Sequence, residues 1–253
     1  MIDIKTPEQI KIMQHGGHIL HDVLMEVVSA VKPGMTEIEV DKMAERLIRA
    51  KGGEPGFMKV KGYHHTVCMS TNDVVVHGSP GKYAFKVGDV VGIDCGVFYK
   101  GFHTDMSESV RVSKGKKTKD EVDEFLAVGK KALDEAIAVA VIGNRIGHIS
   151  QKIQTIVEGG GYSVVRHLIG HGVGRNLHEE PEVPGFLGRR SIANTPLLQE
   201  GMTIAVEVIY NMGEHDVVLD HDGWTIRTED GQLAGLYERT IAITKEGPLM
   251  LTG

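Results

Sequence analysis

Four acidic residues stand within segments whose composition is otherwise typical of buried β-strands. The segments are VVGIDCGVFY, HTDMSESV, TIAVEVIY and LAGLYERTIAIT, and their acids are Asp94, Asp105, Glu207 and Glu238. An isolated buried carboxylate costs several kcal/mol even after relaxation, and like charges in one place add to that cost. A single acid of this kind can pair with an arginine or face solvent, but four of them together require cations.

Arginine is the simplest source of positive charge, yet the two candidates are poorly placed. Arg239 adjoins Glu238 and would point to the opposite face of its strand, and Arg111 lies six residues beyond Asp105. A pair of divalent metal ions is the stronger explanation, because carboxylates bridge two ions roughly 3.5–4 Å apart in hydrolytic sites. One imidazole would complete such a ligand set.

The segment LIGHGVGRNLHEEP offers that imidazole. His171 stands between Gly170 and Gly172, and His178 follows seven residues later. Because glycine lets a backbone approach a neighbour closely, we expect His171 to lie against the ions. A lone histidine is more often a surface or core residue, so the interpretation depends on the accompanying acids.

A predicted β-hairpin brings two of the acids together. Lys100-Gly101 is typical of a two-residue turn, which would place Asp94 opposite Ser107. Asp105 would then lie on the same face as Asp94, one diagonal step away. A bulge at Gly101 would break this register.

Four helices are expected around the strand segments. Thr6 has the features of an N-cap, and Thr36 with Glu39 forms a capping box at the start of a second helix. The apolar pattern predicts a further pair at about 120–141 and 148–158.

The two helix pairs belong to a pattern that occurs twice along the chain. After each pair, Gly88 or Gly201 stands six residues before an acid in a strand segment. We interpret residues 1–253 as one domain made of two related halves, roughly 5–115 and 116–253. A coincidence of common glycines is the alternative.

Composition excludes several classes of protein. The chain has 253 residues, is 41% hydrophobic and carries a net charge of -6, which argues against nucleic acid as its main partner. Cys68 and Cys95 lack the spacing of a disulfide framework or a thiolate zinc site, so we expect a cytoplasmic protein. No segment approaches the roughly 20 apolar residues of a membrane span, and no signal peptide is expected.

Five ordered motifs together resemble the methionine aminopeptidases. They are NDVVVHGSP, GIDCGVFYKGFHTDMS, GHGVGRNLHEEP, GMTIAVEV and YERTIAIT. The chain resembles the type I form, because the interval from His178 to Glu207 leaves no room for the helical insertion of type II. The resemblance implies an α+β pita-bread fold, in which two halves related by a pseudo-twofold axis form an antiparallel sheet backed by helices.

The resemblance also implies a site for two metal ions. Its five ligands would be Asp94, Asp105, His171, Glu207 and Glu238, with Asp105 and Glu238 bridging the ions. The donor set does not select among cobalt, manganese, iron and zinc.

Three of the residues are expected to act in catalysis. Metal binding can lower the pKa of water from ~15.7 to ~7, and Glu207 is the candidate to shuttle the proton. By resemblance, His178 contacts the substrate carbonyl and His77 lies near the scissile amide. The implied reaction is removal of the initiator methionine from nascent proteins and peptides.

The expected substrate pocket departs from the family pattern. Tyr63, Cys68 and Trp224 match residues that line the methionine pocket. However, the loop GYHHTVC is about three residues shorter than usual and lacks a second aromatic residue. Val60 stands where many type I enzymes have a cysteine, and Val208 replaces a proline.

Two other interpretations of the function remain open. A Xaa-Pro aminopeptidase of the same fold usually carries an additional N-terminal domain, whereas the first helix here begins at residue 7. A non-catalytic pita-bread binding module typically loses metal ligands. We expect a monomer that acts on N-terminal peptides, binds no nucleic acid or membrane, and contacts the ribosome at most transiently.

Overall fold

The structure, a computed structural model, describes residues 2–115 and 119–253. The helices within these residues are α1 (Pro7–Ala30), α2 (Glu37–Ala50), α3 (Glu121–Ala138) and α4 (Ile146–Gly159). None of them combines the length and the apolar character that a membrane span requires.

The predicted starts of α1 and α2 are confirmed, whereas α4 begins at Ile146, two residues earlier than predicted. The Thr6 side chain accepts the N–H of Gln9, while the Gln9 side chain accepts the N–H of Thr6. At α2 the Glu39 carboxylate accepts both the Thr36 N–H at 2.8 Å and the Thr36 hydroxyl at 2.7 Å. The third helix ends at Ala138, three residues earlier than predicted. The Asn144 side chain caps the carbonyl of Val139 there.

Two antiparallel sheets contain the strands of the described residues. The strands are β1 (Glu54–Pro55), β2 (Val67–Thr71), β3 (Val74–Val76), β4 (Val90–Tyr99), β5 (Phe102–Arg111), β6 (Ser163–Val164), β7 (Ile169–Gly172), β8 (Glu179–Pro184), β9 (Thr203–Asn211), β10 (Val217–Leu219), β11 (Ile226–Thr228), β12 (Ala234–Thr244) and β13 (Gly247–Met250). The main sheet has the order β1-β4-β5-β12-β9-β7-β8, with β2 paired to β4, β6 to β9 and β13 to β12. The smaller sheet has the order β10-β11-β3.

The β4–β5 hairpin has the predicted register. Asp94 lies opposite Ser107, and the pairing continues without a bulge to the turn. Lys100 and Gly101 have φ of 46° and 91°, as a two-residue turn of type I′ requires. Asp94 and Asp105 therefore lie on one face of the hairpin.

The helices pack on the sheet face opposite to the acids. Cys95 and Met106, which neighbour acids along β4 and β5, pack with apolar residues of α1 and α2. Val206 and Tyr237 do the same on β9 and β12 against α3 and α4. Because side chains alternate along a strand, this packing directs all four acids to the other face. Cys95 is therefore a packing residue.

Candidate metal centre

Three of the acids lie in one row across four adjacent strands. Asp94 on β4 pairs with Ser107 on β5, Ser107 pairs with Glu238 on β12, and Glu238 pairs with Glu207 on β9. Asp105 stands two residues before Ser107 and faces the same side. Beyond burial, the charges of Asp94 and Glu207 raise the pKa of both Asp105 and Glu238, so the four carboxyl groups form one cluster.

His171 joins the cluster from β7. Its Nε2 atom lies 3.8 Å from Asp105 Oδ2 and 3.8 Å from Glu238 Oε1. The donor atoms of these three residues lie within 4.8 Å of one another, as a metal site requires. His171 Nδ1 lies 2.9 Å from the Gly172 carbonyl oxygen. When Nδ1 donates its N–H to that carbonyl, Nε2 keeps a free electron pair that can bind a metal. This arrangement is usual for metal-binding histidines.

The electrostatics of the cluster fit divalent cations. Burial raises the pKa of Asp105, and the charges of Asp94 and Glu207 raise it further. Burial is also the main cause of the raised pKa of Glu238. Asp94 Oδ1 is buried and has no hydrogen-bond partner. Burial lowers the pKa of His171 to about 4, so its imidazole is neutral and able to bind a metal.

The two arginines nearest the acids in the sequence are directed elsewhere, as predicted. The Arg239 guanidinium forms a short ion pair with Glu108 and donates to the Ser107 carbonyl 2.9 Å away. Arg111 pairs with Asp120 at 2.6 Å. The charge of the cluster is therefore left for ions from outside the chain.

A cavity of about 340 Å³ opens above the cluster. Tyr63, Cys68 and Trp224 line it, as predicted. The Tyr63 and Trp224 rings are 5.5 Å apart, and the Tyr63 hydroxyl donates to the Val67 carbonyl at 2.7 Å. Val60, which stands where many type I enzymes have a cysteine, also lines the cavity.

His77 and His178 also line the cavity. His178 packs edge-on against His171, with ring centroids 4.4 Å apart. His77 has a φ of 59°, which is uncommon for a residue other than glycine and is typical of functional sites. Burial lowers the pKa of both His77 and His178.

Sequence reasoning missed several apolar residues of the wall. Phe57 and Leu177 pack with Tyr63 and Cys68, and Ile209 lines the cavity as well. For two of them, the position in the sequence could have indicated a place in the wall. Leu177 immediately precedes His178, and Ile209 lies two residues after Glu207, on the same face of β9. Phe57 begins a short 3₁₀ turn after β1 and had no comparable signal.

The glycines around His171 are required by contacts within the chain, whereas close approach to the metal ions was the expected reason. A side chain at Gly172 would overlap the backbone of Glu180 on β8, and one at Gly174 would overlap the Lys5 side chain. The close approach is thus between neighbouring parts of the chain. It holds the strand of His171 tightly between β8 and β9.

The fold and the site together define a metal-dependent hydrolase. The model of metallopeptidase family M24 matches residues 11–242, and the chain belongs to this family. Divalent metal ions are implied by that membership. The prediction of a metal-dependent enzyme is confirmed.

Relatives of known activity match over nearly their whole length. The chain is 40% identical to the methionine aminopeptidase of Clostridium perfringens, covering 100% of this chain and 99% of that protein. It is 37% identical to methionine aminopeptidase 1 of Bacillus subtilis, with the same coverage. The crystal structure of methionine aminopeptidase from Thermotoga maritima has a TM-score of 0.94 at 36% identity, covering 100% and 99% of the two chains. The predicted resemblance and the α+β pita-bread fold are confirmed.

Proline-specific peptidases are more distant. The prolidase from Pyrococcus furiosus has a TM-score of 0.76 at 23% identity, and this chain covers 65% of it. X-Pro aminopeptidase from Thermotoga maritima has a TM-score of 0.76 at 21% identity. This likeness shows a shared fold alone, and the Xaa-Pro reading is not favoured.

Proposed function

We propose that this chain is a metalloaminopeptidase that removes the N-terminal methionine from nascent proteins and peptides. The observation that carries the proposal is the convergence of four acids and one imidazole beneath a cavity with an apolar wall. The full-length similarity to methionine aminopeptidases supports the same substrate.

The metal ligands in this proposal are Asp94, Asp105, His171, Glu207 and Glu238. Two divalent ions balance four buried carboxylates better than one, and the oxygen-rich donor set suits cobalt, manganese, iron or zinc. When bound, the ions lower the pKa of water from ~15.7 toward ~7 and polarise the substrate carbonyl.

Three residues act on the substrate in this mechanism. Glu207 accepts a proton from the attacking water at a carboxylate oxygen and returns it to the leaving nitrogen. His178 donates an imidazole N–H to the carbonyl oxygen as its negative charge develops. His77 holds the peptide near the amide that is cleaved. The lowered pKa of both histidines favours the neutral imidazole, which has one donor and one acceptor.

The cavity accounts for the choice of the first residue. Tyr63, Cys68, Trp224 and Leu177 provide an apolar wall for an unbranched side chain, and a thioether makes favourable contacts with aromatic rings. A free α-amino group bound at the metal centre would explain cleavage of one N-terminal residue only.

The proposal also covers the location and partners of the protein. We propose a cytoplasmic monomer that acts directly on nascent chains, contacts the ribosome at most transiently, and binds no nucleic acid or membrane. We also propose that residues 1–253 form one domain of two related halves. Its support is that α1–α2 and α3–α4 each pack on the main sheet from the same side.

The test is metal-dependent release of the first residue. Metal-stripped protein, with manganese or cobalt restored, is incubated with Met-Ala-Ser, Leu-Ala-Ser and Ala-Pro-Ser, and the freed amino acid is followed. We expect release of methionine, loss of that release in Asp105→Asn, and normal release in Asp134→Asn, which changes an exposed acid on α3. Release only before proline, or no release with tightly bound metal, would overturn the proposal.

A further inference from the structure

The segment before α1 packs against the loop that carries His178. The Lys5 N–H donates to the Gly201 carbonyl at 2.8 Å, which fixes the backbone beside the start of β9. The Lys5 side chain is only 1% exposed, which is unusual for a lysine. It lies against Gly174 of loop 173–178, so its charge must be compensated by acidic partners close by.

The buried ammonium group of Lys5 forms a short ion pair with Glu179 Oε2. It also contacts Asp3, through the backbone oxygen at 3.3 Å and the carboxylate at 3.2 Å. The other carboxylate oxygen of Glu179 accepts the Asn176 N–H at 2.9 Å. Glu179 thus links the ammonium group to the backbone of the loop.

The loop leaves space for the Lys5 side chain at Gly174. A side chain at Gly174 would overlap Lys5 Cε and Nζ, so a glycine is needed where the lysine stem passes. The Gly174 carbonyl accepts the His103 N–H at 2.7 Å, and the Gly174 N–H donates to the Asn176 carbonyl at 3.0 Å. The contact therefore belongs to the loop whose residues Leu177 and His178 line the cavity.

We infer that Lys5 is a positioning residue for His178. It holds Glu179, the next residue in the chain, so that the His178 ring stays beside His171 and faces the cavity. The inference rests on the proposed role of His178. A misplacement of about 1 Å can cost a reaction roughly 10²-fold in rate, so the ion pair acts on turnover although it lies outside the cavity.

The test compares Lys5→Met with the matched control Lys11→Met, which changes an exposed lysine on α1. Methionine keeps the length of the stem and removes the charge. With Met-Ala-Ser and restored manganese, we expect kcat to fall ten- to hundredfold in Lys5→Met, with KM changed less than twofold and bound metal unchanged. Lys11→Met is expected to match the wild type. A wild-type kcat in Lys5→Met would overturn the inference.

A double variant separates positioning from stability. Lys5→Met leaves the Glu179 carboxylate buried without its partner, whereas Lys5→Met with Glu179→Gln removes both charges. We expect the double variant to regain the wild-type melting temperature and to keep the low kcat. If kcat instead recovers together with the melting temperature, Lys5 is only structural. The double variant also serves if Lys5→Met alone does not fold.

One readout does not depend on the reaction. The His178 Cε1–H resonance in the NMR spectrum, assigned from its absence in His178→Ala, should shift in Lys5→Met and stay unchanged in Lys11→Met. An unchanged resonance would contradict the inference even if the wild type is active. An inactive wild type with the expected shift would instead place the fault with the proposed function.

Discussion

Replacing Gly172 by alanine should reduce catalysis through a displacement of His171. A Cβ atom at Gly172 would lie 2.6 Å from the Glu180 carbonyl carbon and 2.9 Å from the Glu179 oxygen, whereas ordinary contacts begin at 3.4 Å. Both neighbours are backbone atoms on β8, which cannot rotate away. A Cβ atom there would also overlap the Glu180 carbonyl oxygen, so strands β7 and β8 must separate by about 1 Å. His171 is the residue that precedes the substitution.

The magnitude follows from this displacement. Overpacking a tight contact costs roughly 1–3 kcal/mol of stability. A shift approaching 1 Å at a catalytic group costs up to about 10²-fold in rate, or about 2.7 kcal/mol of transition-state stabilisation. We expect kcat for Met-Ala-Ser to fall ten- to hundredfold and the affinity for manganese to weaken.

The matched control is Gly159→Ala at the end of α4. No atom lies within 4 Å of a Cβ atom at that position, so the same substitution should leave turnover unchanged and raise stability slightly. The assay is steady-state release of methionine together with manganese titration by calorimetry. Wild-type kcat and manganese affinity in Gly172→Ala would refute the argument that close strand packing positions His171.

Three further predictions concern the site. Glu207→Gln and His178→Ala should each lose most turnover, and the His178→Ala protein should still bind peptide; near-normal turnover in either would remove its assigned role. Manganese at 100 times its Kd should stabilise the metal-stripped protein by about 2.7 kcal/mol, and a thermal melt should show no such gain for His171→Ala. Because the 60–68 loop is short and lacks a second aromatic residue, peptides beginning with norleucine or leucine should be cleaved measurably. Strict rejection of both in the release assay would contradict this prediction.

Much of the local structure could be predicted because its causes lie close together in the chain. The capping box of Thr36 and Glu39 spans four residues, and the hairpin register follows from two turn residues with positive φ, Lys100 and Gly101. Strand alternation then predicts that Cys95 faces the core and Asp94 does not. These are effects of turn geometry and side-chain direction that act over a few residues.

The donor types of the site could also be predicted, because a buried acid in an apolar strand is costly wherever it occurs. The identity of the cavity wall could be predicted only in part. Tyr63 and Trp224 were expected from the family resemblance, whereas Phe57 has no local signal. Its place in the wall depends on how residues 57–59 pack against β4.

The sequence by itself determined the starts of α1 and α2, the hairpin, the unusual placement of four acids and the need for cations. Tertiary structure alone decided which strands are neighbours, and so which acids share a row with Glu238. It also brought His171 to 3.8 Å from Asp105 and Lys5 against Glu179. Contacts between residues so far apart leave no periodic signal in the chain, because they depend on strand order and on the close backbone approach that Gly172 and Gly174 permit.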